Sequence, residues 1–370
     1  MISRAHSLRL VTEALQPDGG GSLGAARRRD VADWTVPLIL ANENLVGPAL
    51  YASLVEAGRI AELPDDVREY LAFLRQHNEE RNRVVRTQAL ELLSALHRAG
   101  VETMVLKGVH SLLRGLYPDP GARMVRDIDI LIHPDAQKPA IAALEELGYS
   151  VLTQYLPEQH AFAEFTRDGS PSAVDLHHEI VDVPHLFSAR DVWPRAEVKE
   201  VEGVQFYVPS PTDAFLHHLI HAQVHYRGGY FWGAIELRQL VEFAALARRF
   251  GSSIDWDEVT RRFAEQGLGT ALQSYALVAR HLLALPWPLP DLPTVAARLH
   301  ARRCLAQLRW PVLYSVLAPW SNLCAAFAEH RLRALYPLVE GELRRRLHHA
   351  GQFFRKTGPQ AFVQRLLRER

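Results

Sequence analysis

Two carboxylates interrupt an apolar run at Arg126-Asp127-Ile128-Asp129-Ile130-Leu131-Ile132. On a strand, residues two apart point to the same face, so Asp127 and Asp129 are expected side by side. Burying such a pair is unfavourable unless a cation neutralises it. Paired hard oxygens suit Mg²⁺, which keeps waters and substrate phosphates in the rest of its shell. The pair points to metal-assisted chemistry on a phosphate ester; a solvated pair at a sheet edge is the alternative. Two neighbouring segments favour the chemistry. Upstream, Val101-Glu102-Thr103-Met104-Val105-Leu106-Lys107-Gly108 reads as an apolar strand ending in a lysine-glycine pair, with a short helix over roughly 109–116. Downstream, Ala173-Val174-Asp175-Leu176-His177-His178 places a third carboxylate on another apolar strand.

This order of strand, glycine turn, helix, acidic strand and second acidic strand resembles the nucleotidyltransferase superfamily that includes DNA polymerase beta and the kanamycin nucleotidyltransferases. More closely it resembles a bacterial group, the uncharacterised nucleotidyltransferase family. The carrying residues are Leu106-Lys107-Gly108, Tyr117, Arg123, Asp127 through Ile132, Leu147-Gly148-Tyr149, Asp175-Leu176-His177, Leu216-His217-His218-Leu219 and His221. They span roughly 92–245.

The resemblance implies transfer of a nucleoside monophosphate from an NTP, ATP foremost, to an acceptor. Asp127, Asp129 and Asp175 would be the catalytic set and would hold Mg²⁺, with Asp175 helping to deprotonate the acceptor. Lys107, Gly108, Ser111, Arg123 and Arg126 are the nucleotide-binding candidates. Gly108, having no side chain, lets the backbone come close to a phosphate, and the helix after it would aim free N–H groups at the triphosphate. The superfamily commonly has Gly-Ser here; this chain has Gly108-Val109, with Ser111 one turn on. Lys107 pairs with phosphate or is solvated at a strand end. Arg123 and Arg126 would grip phosphate bidentately or balance the acidic pair. Strict alternation turns Arg126 to the opposite face, which favours Arg123.

His177, His217 and His221 are expected to contact substrate. Alternation puts Asp175, His177 and Glu179 on one face and His178 on the other, which suits His177 for proton handling. His217, His221 and His225 recur every four residues on a helix beginning at Pro211. No carboxylate or cysteine nearby completes a metal set, so His217 and His221 are read as lining an acceptor pocket.

The elements that must position these groups form an α+β chain: a small mixed nucleotidyltransferase-type sheet flanked by helical N- and C-terminal regions. The expected domains are a helical region at 1–98, the core at 99–209 and a helical domain at 210–370. Within 1–98, Asp18-Gly19-Gly20-Gly21-Ser22 reads as a flexible break. Apolar residues recur at helical spacing from Asp30 to Ala99, where Gly100 ends the last helix. Strands are expected near 101–107, 127–133, 149–155, 161–167, 173–179 and 204–208, with a helix from Asp135 to Leu147. Asp168-Gly169-Ser170-Pro171-Ser172 signals a hairpin. Ser210-Pro211-Thr212-Asp213 starts a helix, and Pro286-Trp287-Pro288-Leu289-Pro290 is a rigid extended connection.

At 370 residues the chain supports two or three domains. Its 42 basic and 42 acidic residues balance, so the molecule as a whole is no electrostatic trap for nucleic acid. No apolar stretch approaches the ~20 residues of a membrane span, which argues against stable membrane insertion. Met1 to Gln16 lacks the apolar centre of a secretory signal. Cys304 and Cys324, the two cysteines, are too few for a zinc site and fit a cytoplasmic protein. The basic tail, Arg344-Arg345-Arg346 and Arg355-Lys356 around Phe353-Phe354, reads as a solvated helix face or as a surface for an acidic partner, a membrane or RNA. The acceptor stays open: small molecule, peptide, protein or RNA. Two rival functions are a binding or regulatory, antitoxin-like module that keeps the fold without catalysis, and a related group transferase of a biosynthetic cluster.

Overall fold

The computed structural model describes residues 3–20, 31–156, 159–225 and 229–352. Seven strands form one mixed sheet in the order β3-β4-β5-β2-β1-β7-β6. They are β1 Thr103–Val105, β2 Ile128–Ile132, β3 Ser150–Gln154, β4 Ala161–Thr166, β5 Val174–His177, β6 Glu197–Val201 and β7 Val204–Val208. The central strand β2 runs antiparallel to β1 and parallel to β5. The 168–172 turn joins the antiparallel strands β4 and β5, as its sequence predicts.

Strand β6 has no counterpart among the expected strands. It pairs with β7 through a two-residue turn at Glu202-Gly203, where both residues have positive φ (54° and 79°). Glycine takes that conformation freely and glutamate does not. An Asn-Gly or Asp-Gly turn would have announced the hairpin; Glu-Gly does not.

One face of the sheet is the core. Ile128, Ile130 and Ile132 of β2 and Val174 and Leu176 of β5 pack with Val85, Ala89, Leu92, Leu93 and Leu96. These five lie on one long helix. Counting the helices of the described residues in chain order, α1 is Arg4–Ala14, α2 Val31–Glu43, α3 Gly47–Glu56 and α4 the 34-residue helix Asp65–Arg98. Spacing of three and four residues keeps the apolar positions of α4 on one stripe. Its ends suit the helix dipole, with Asp65 and Asp66 in the first turn and His97 and Arg98 in the last. Gly100, at φ 72°, closes it.

Helix α5 is Lys107–Arg114 and ends at Gly115 in the left-handed region (φ 64°). It begins two residues earlier than the sequence suggests, because Lys107 itself turns the chain at φ 47°. Helix α6, Gln137–Glu146, covers the core face beside α4. Of the expected break at 18–22, residues 18–20 form a turn in which Asp18 accepts from Gly20 N–H and Arg59 donates to the Gly19 carbonyl.

After β5 come α7 Ala189–Val192, α8 Pro211–Gln223, α9 Gly229–Trp232, α10 Leu237–Phe250, α11 Trp256–Glu265, α12 Gly269–Leu283, α13 Val295–Arg309, α14 Val312–Ala326 and α15 Glu329–Leu335. The contacts divide into two compact units. The first holds Met1–His218, Leu237–Ile254 and Leu282–Ala284, hence the whole sheet and α10; the second holds Leu219–Glu236, Asp255–His281 and Leu285–Arg370. In the second unit Arg303 donates to the Phe231 carbonyl and to Ser321, and Gln307 donates to the Trp232 carbonyl, tying α9, α13 and α14 together. Residues 286–290 connect α12 to α13 without helix or strand, as expected. Among the described residues no single helix is long and apolar enough to cross a membrane.

Candidate active site

The sheet face opposite the core carries the acidic groups. Parallel pairing sets Asp129 of β2 directly beside Asp175 of β5, and Leu131 beside His177. Alternation then puts Asp129, Asp175 and His177 on the same face, and their ligand atoms lie within 4.8 Å of one another. Asp127 sits one residue before β2 begins. The strand that delivers Asp129 is buried along its whole length, and Asp129 is itself 0% exposed.

Polar contacts from within and around the cluster hold it together. The Lys107 ammonium lies 2.5 Å from Asp129 Oδ1. His177 Nε2 lies 3.1 Å from the same oxygen and 3.9 Å from Asp175 Oδ2. The Tyr155 hydroxyl donates to Asp175 Oδ1 at 3.2 Å. Asp129 Oδ2 is buried and has no hydrogen-bond partner among the described residues. An orphaned carboxylate oxygen in the interior is costly unless something positive takes its lone pairs.

The electrostatics separate the three acids. Burial works against the Asp129 carboxylate, but the Lys107 ammonium and the His177 hydrogen bond outweigh it and hold its pKa well below the usual range. Asp127 is pushed up, chiefly by the charge on Asp129 and then by burial. Asp175 is pushed up to about 6, by burial first and by Asp129 second. His177 is pushed down to about 4 by burial and by Lys107, so near neutral pH it is a neutral imidazole donating from Nε2. Two acids thus resist ionisation beside a third that is always charged. That imbalance, with the bare Oδ2, fits a hard divalent cation.

Arg123 and Ser111 point elsewhere. Arg123 Nε and Nη2 donate to Glu242 Oε2 at 3.0 and 2.6 Å, and the Ser111 hydroxyl donates to Glu242 Oε1 at 2.8 Å. Burial works against the Glu242 carboxylate, but Arg123 in the main, with His218 and Ser111 adding, lowers its pKa to about 2. The network clamps α10, α5 and the approach to Asp127 together. A Cβ on Gly108 would come within 2.9 Å of Arg123 Nη1 and 3.1 Å of Val125 Cγ1. Gly108 thus leaves room for the Arg123 guanidinium, which a side chain here would have to push aside, whatever it offers a phosphate. Sequence gives no signal for Glu242, which lies 131 residues from Ser111 on a helix whose pattern reads only as amphipathic.

A polar stripe on α4 holds the loop that leads to Asp127. Asn78 donates to the Gly121 carbonyl at 2.6 Å, and Asn82 to the carbonyls of Pro120 and Arg123 at 2.8 and 2.7 Å. Arg81 donates to the Val125 carbonyl, and Arg75 grips Asp119 through two nitrogens. The spacing is that of the helix's apolar stripe, which is why a search for hydrophobic periodicity passes over it.

The other expected residues fall as follows. Arg126 is exposed, beside Asp127. Glu179 accepts from the Ala189 N–H at 2.7 Å and so serves the start of α7. The His178 ring rests on Phe162, with centroids 4.6 Å apart. His217 is buried on the part of α8 that belongs to the first unit. His221 belongs to the second, where its ring stacks on His225 at 5.1 Å. Cys304 and Cys324 are free thiols. In the basic tail Arg345 pairs with Glu329 and Arg346 with Glu342; Phe353, Phe354, Arg355 and Lys356 lie outside the described residues.

Comparison with known proteins adds a family. The model of a family described as uncharacterised nucleotidyltransferase matches residues 30–284. No curated protein matches the chain. Among solved structures, the solution structure of the antibiotic-resistance factor ANT(2'')-Ia is similar at 14% identity and a TM-score of 0.33, over 54% of this chain and 96% of that one.

Proposed function

The chain belongs to the uncharacterised nucleotidyltransferase family, and from that premise we propose that the acidic face of its sheet moves a nucleoside monophosphate from an NTP, ATP foremost, to an acceptor oxygen. The observation that carries this reading is the in-register pairing of Asp129 with Asp175 on parallel strands, with Asp129 Oδ2 left bare in the interior. Asp127, Asp129 and Asp175 would hold Mg²⁺, which when bound neutralises the triphosphate and polarises the phosphoryl under attack.

The protein's own groups do the rest. The start of α5 presents free backbone N–H groups and the positive end of its dipole to phosphate oxygens. Exposed Arg126 adds a cation at the rim. Asp175, held beside Asp129 with the Tyr155 hydroxyl on its Oδ1, accepts the proton of the acceptor hydroxyl. The acceptor oxygen bonds to the α-phosphorus, the bond from that phosphorus to the bridging oxygen breaks, and pyrophosphate leaves. Neutral His177 donates its Nε2 proton to Asp129 and keeps that carboxylate turned into the cluster. Positioning and charge neutralisation supply most of the acceleration, as in other phosphoryl transfers.

The test incubates the purified chain with Mg²⁺, each α-³²P-labelled NTP and candidate small-molecule, peptide, protein and RNA acceptors. Product mass identifies the group moved. Label should pass to an acceptor, and Asp127→Asn with Asp129→Asn should abolish it. Transfer undiminished in that double variant would remove the reading. Product masses showing some other group would favour the biosynthetic transferase, and tight copurification of a protein without Mg²⁺ or nucleotide binding would favour the regulatory module.

A further inference from the structure

The acidic cluster already holds a cation of its own. Lys107 Nζ sits 2.5 Å from Asp129 Oδ1, where it neutralises one of three crowded carboxylates. Its side chain is 21% exposed, whereas Asp129 is sealed at 0%. The contact thus joins a partly exposed side chain to a sealed ligand oxygen. Lys107 is also the first residue of α5 and lies in the left-handed region, at φ 47°. A non-glycine residue there is strained. This backbone keeps the base of the lysine at the helix start, beside the N–H groups that would meet phosphate. Partly buried ion pairs elsewhere in the first unit, among them Arg75–Asp119, Arg114–Glu197 and Arg123–Glu242, use arginine. Arginine's planar fork suits fixed pairing; an ammonium on a four-carbon stem with three rotatable donors suits a partner that changes.

Resting on the nucleotidyl-transfer reading above, we propose that Lys107 is a displaceable plug of the metal site. Its ammonium holds Asp129 Oδ1 while the cluster is bare and passes to a triphosphate oxygen when nucleotide arrives. The stem pivots about the start of α5, so the ammonium reaches a phosphate there without moving the backbone. Asp129 Oδ1 then keeps only its His177 contact and, with Oδ2, would be open to a cation. Metal and nucleotide load as a pair, and by thermodynamic reciprocity each tightens the other. A divalent ion alone has to displace an ammonium already in contact, and binds weakly. The device guards a cluster that would otherwise collect cations without substrate.

Two measurements on the full chain test this. The first follows free Mn²⁺ by electron paramagnetic resonance during titration of metal-stripped protein, without nucleotide. Lys107→Met should bind Mn²⁺ about tenfold tighter than wild type, the worth of one charge-assisted contact, and Asp129→Asn should bind it more weakly than either. The second needs no variant. The chain has only four lysines, Lys107, Lys138, Lys199 and Lys356, so acylation of each can be followed by peptide mass spectrometry. Lys107 should be protected in the bare protein, reactive in saturating Mg²⁺, and protected again when an α,β-methylene NTP is added, with Lys138 and Lys199 unchanged.

Equal or weaker Mn²⁺ binding by Lys107→Met, or a Lys107 reactivity indifferent to Mg²⁺ and nucleotide, overturns the plug. If that result comes with Mn²⁺ binding that Asp129→Asn abolishes, the metal-dependent reading stands and only the plug falls. If neither wild type nor Lys107→Met binds Mn²⁺ without nucleotide, the plug falls, and only a failure to bind Mn²⁺ with the α,β-methylene NTP present takes the metal-dependent reading with it. Should Lys107→Met fail to fold, the wild-type acylation pattern decides alone.

Discussion

Asp175→Asn should make the metal-free protein more stable while removing its activity. The Asp175 carboxyl is raised from the usual 3.8 to about 6 by burial and by Asp129, and its side chain is only 18% exposed, so solvent screens little of that shift. The folded-state pKa lies above the unfolded one. The folded protein therefore holds the proton more tightly, and stability is lost as pH rises from about 4 to about 6, with the full penalty present above that range. A shift of two units amounts to about 3 kcal/mol at pH 8 and about half as much at pH 5. Asparagine keeps an oxygen for the Tyr155 hydroxyl, now 3.2 Å from Asp175 Oδ1, and carries no charge. The assay is urea unfolding of wild type and variant in EDTA at both pH values. The variant should be more stable by about 2–3 kcal/mol at pH 8, with the gap roughly halved at pH 5. Saturating Mg²⁺ should stabilise wild type and leave the variant little changed, narrowing the gap. A variant no more stable than wild type at pH 8 in EDTA, or a gap that ignores pH, refutes the argument that the bare cluster is overcharged.

Three further outcomes follow from the surrounding contacts. Glu242→Gln leaves the buried Arg123 guanidinium without its counter-charge and should cost about 3 kcal/mol, measured by chemical denaturation; a neutral effect would mean the pair is idle. Asn82→Ala removes two hydrogen bonds to the Pro120 and Arg123 carbonyls; it should cost about 2 kcal/mol and lower kcat for nucleotidyl transfer while leaving Mn²⁺ binding in place. Gly108→Ala drives a methyl towards Arg123 and Val125 and should cost about 1–3 kcal/mol in a thermal melt, a loss that adding nucleotide does not rescue.

The acidic face was legible because its logic is local. Period-two alternation places Asp127 with Asp129 and Asp175 with His177 from sequence alone, and two apolar strands of the right kind were bound to share a sheet. That they are neighbours, with Asp129 opposite Asp175, is decided by strand order, which no single segment records. The same limit explains Arg123 and Ser111. Each lies where a phosphate contact is expected, and each is claimed by Glu242, a partner more than a hundred residues away in the chain. The polar stripe of α4 escaped for a different reason: asparagine and arginine at helical spacing look like a wet surface until the loop they hold is seen. Strand β6 escaped because its turn is Glu-Gly.

Helix α4 has two employments along one rod. Its C-terminal half is packed into the sheet's core through Val85, Ala89, Leu92, Leu93 and Leu96, while Arg75, Asn78, Arg81 and Asn82 tether the segment feeding Asp127. At 34 residues the rod is about 50 Å long. Residues ahead of the first strand are thus scaffolding for the chemistry, and a fragment trimmed to begin at β1 would lose both the lining of the sheet and the tether of its acidic loop. Anyone seeking a minimal active piece of this protein should cut before Asp65, and should expect substitutions around residue 80, far from Asp127 in sequence, to register as losses of turnover.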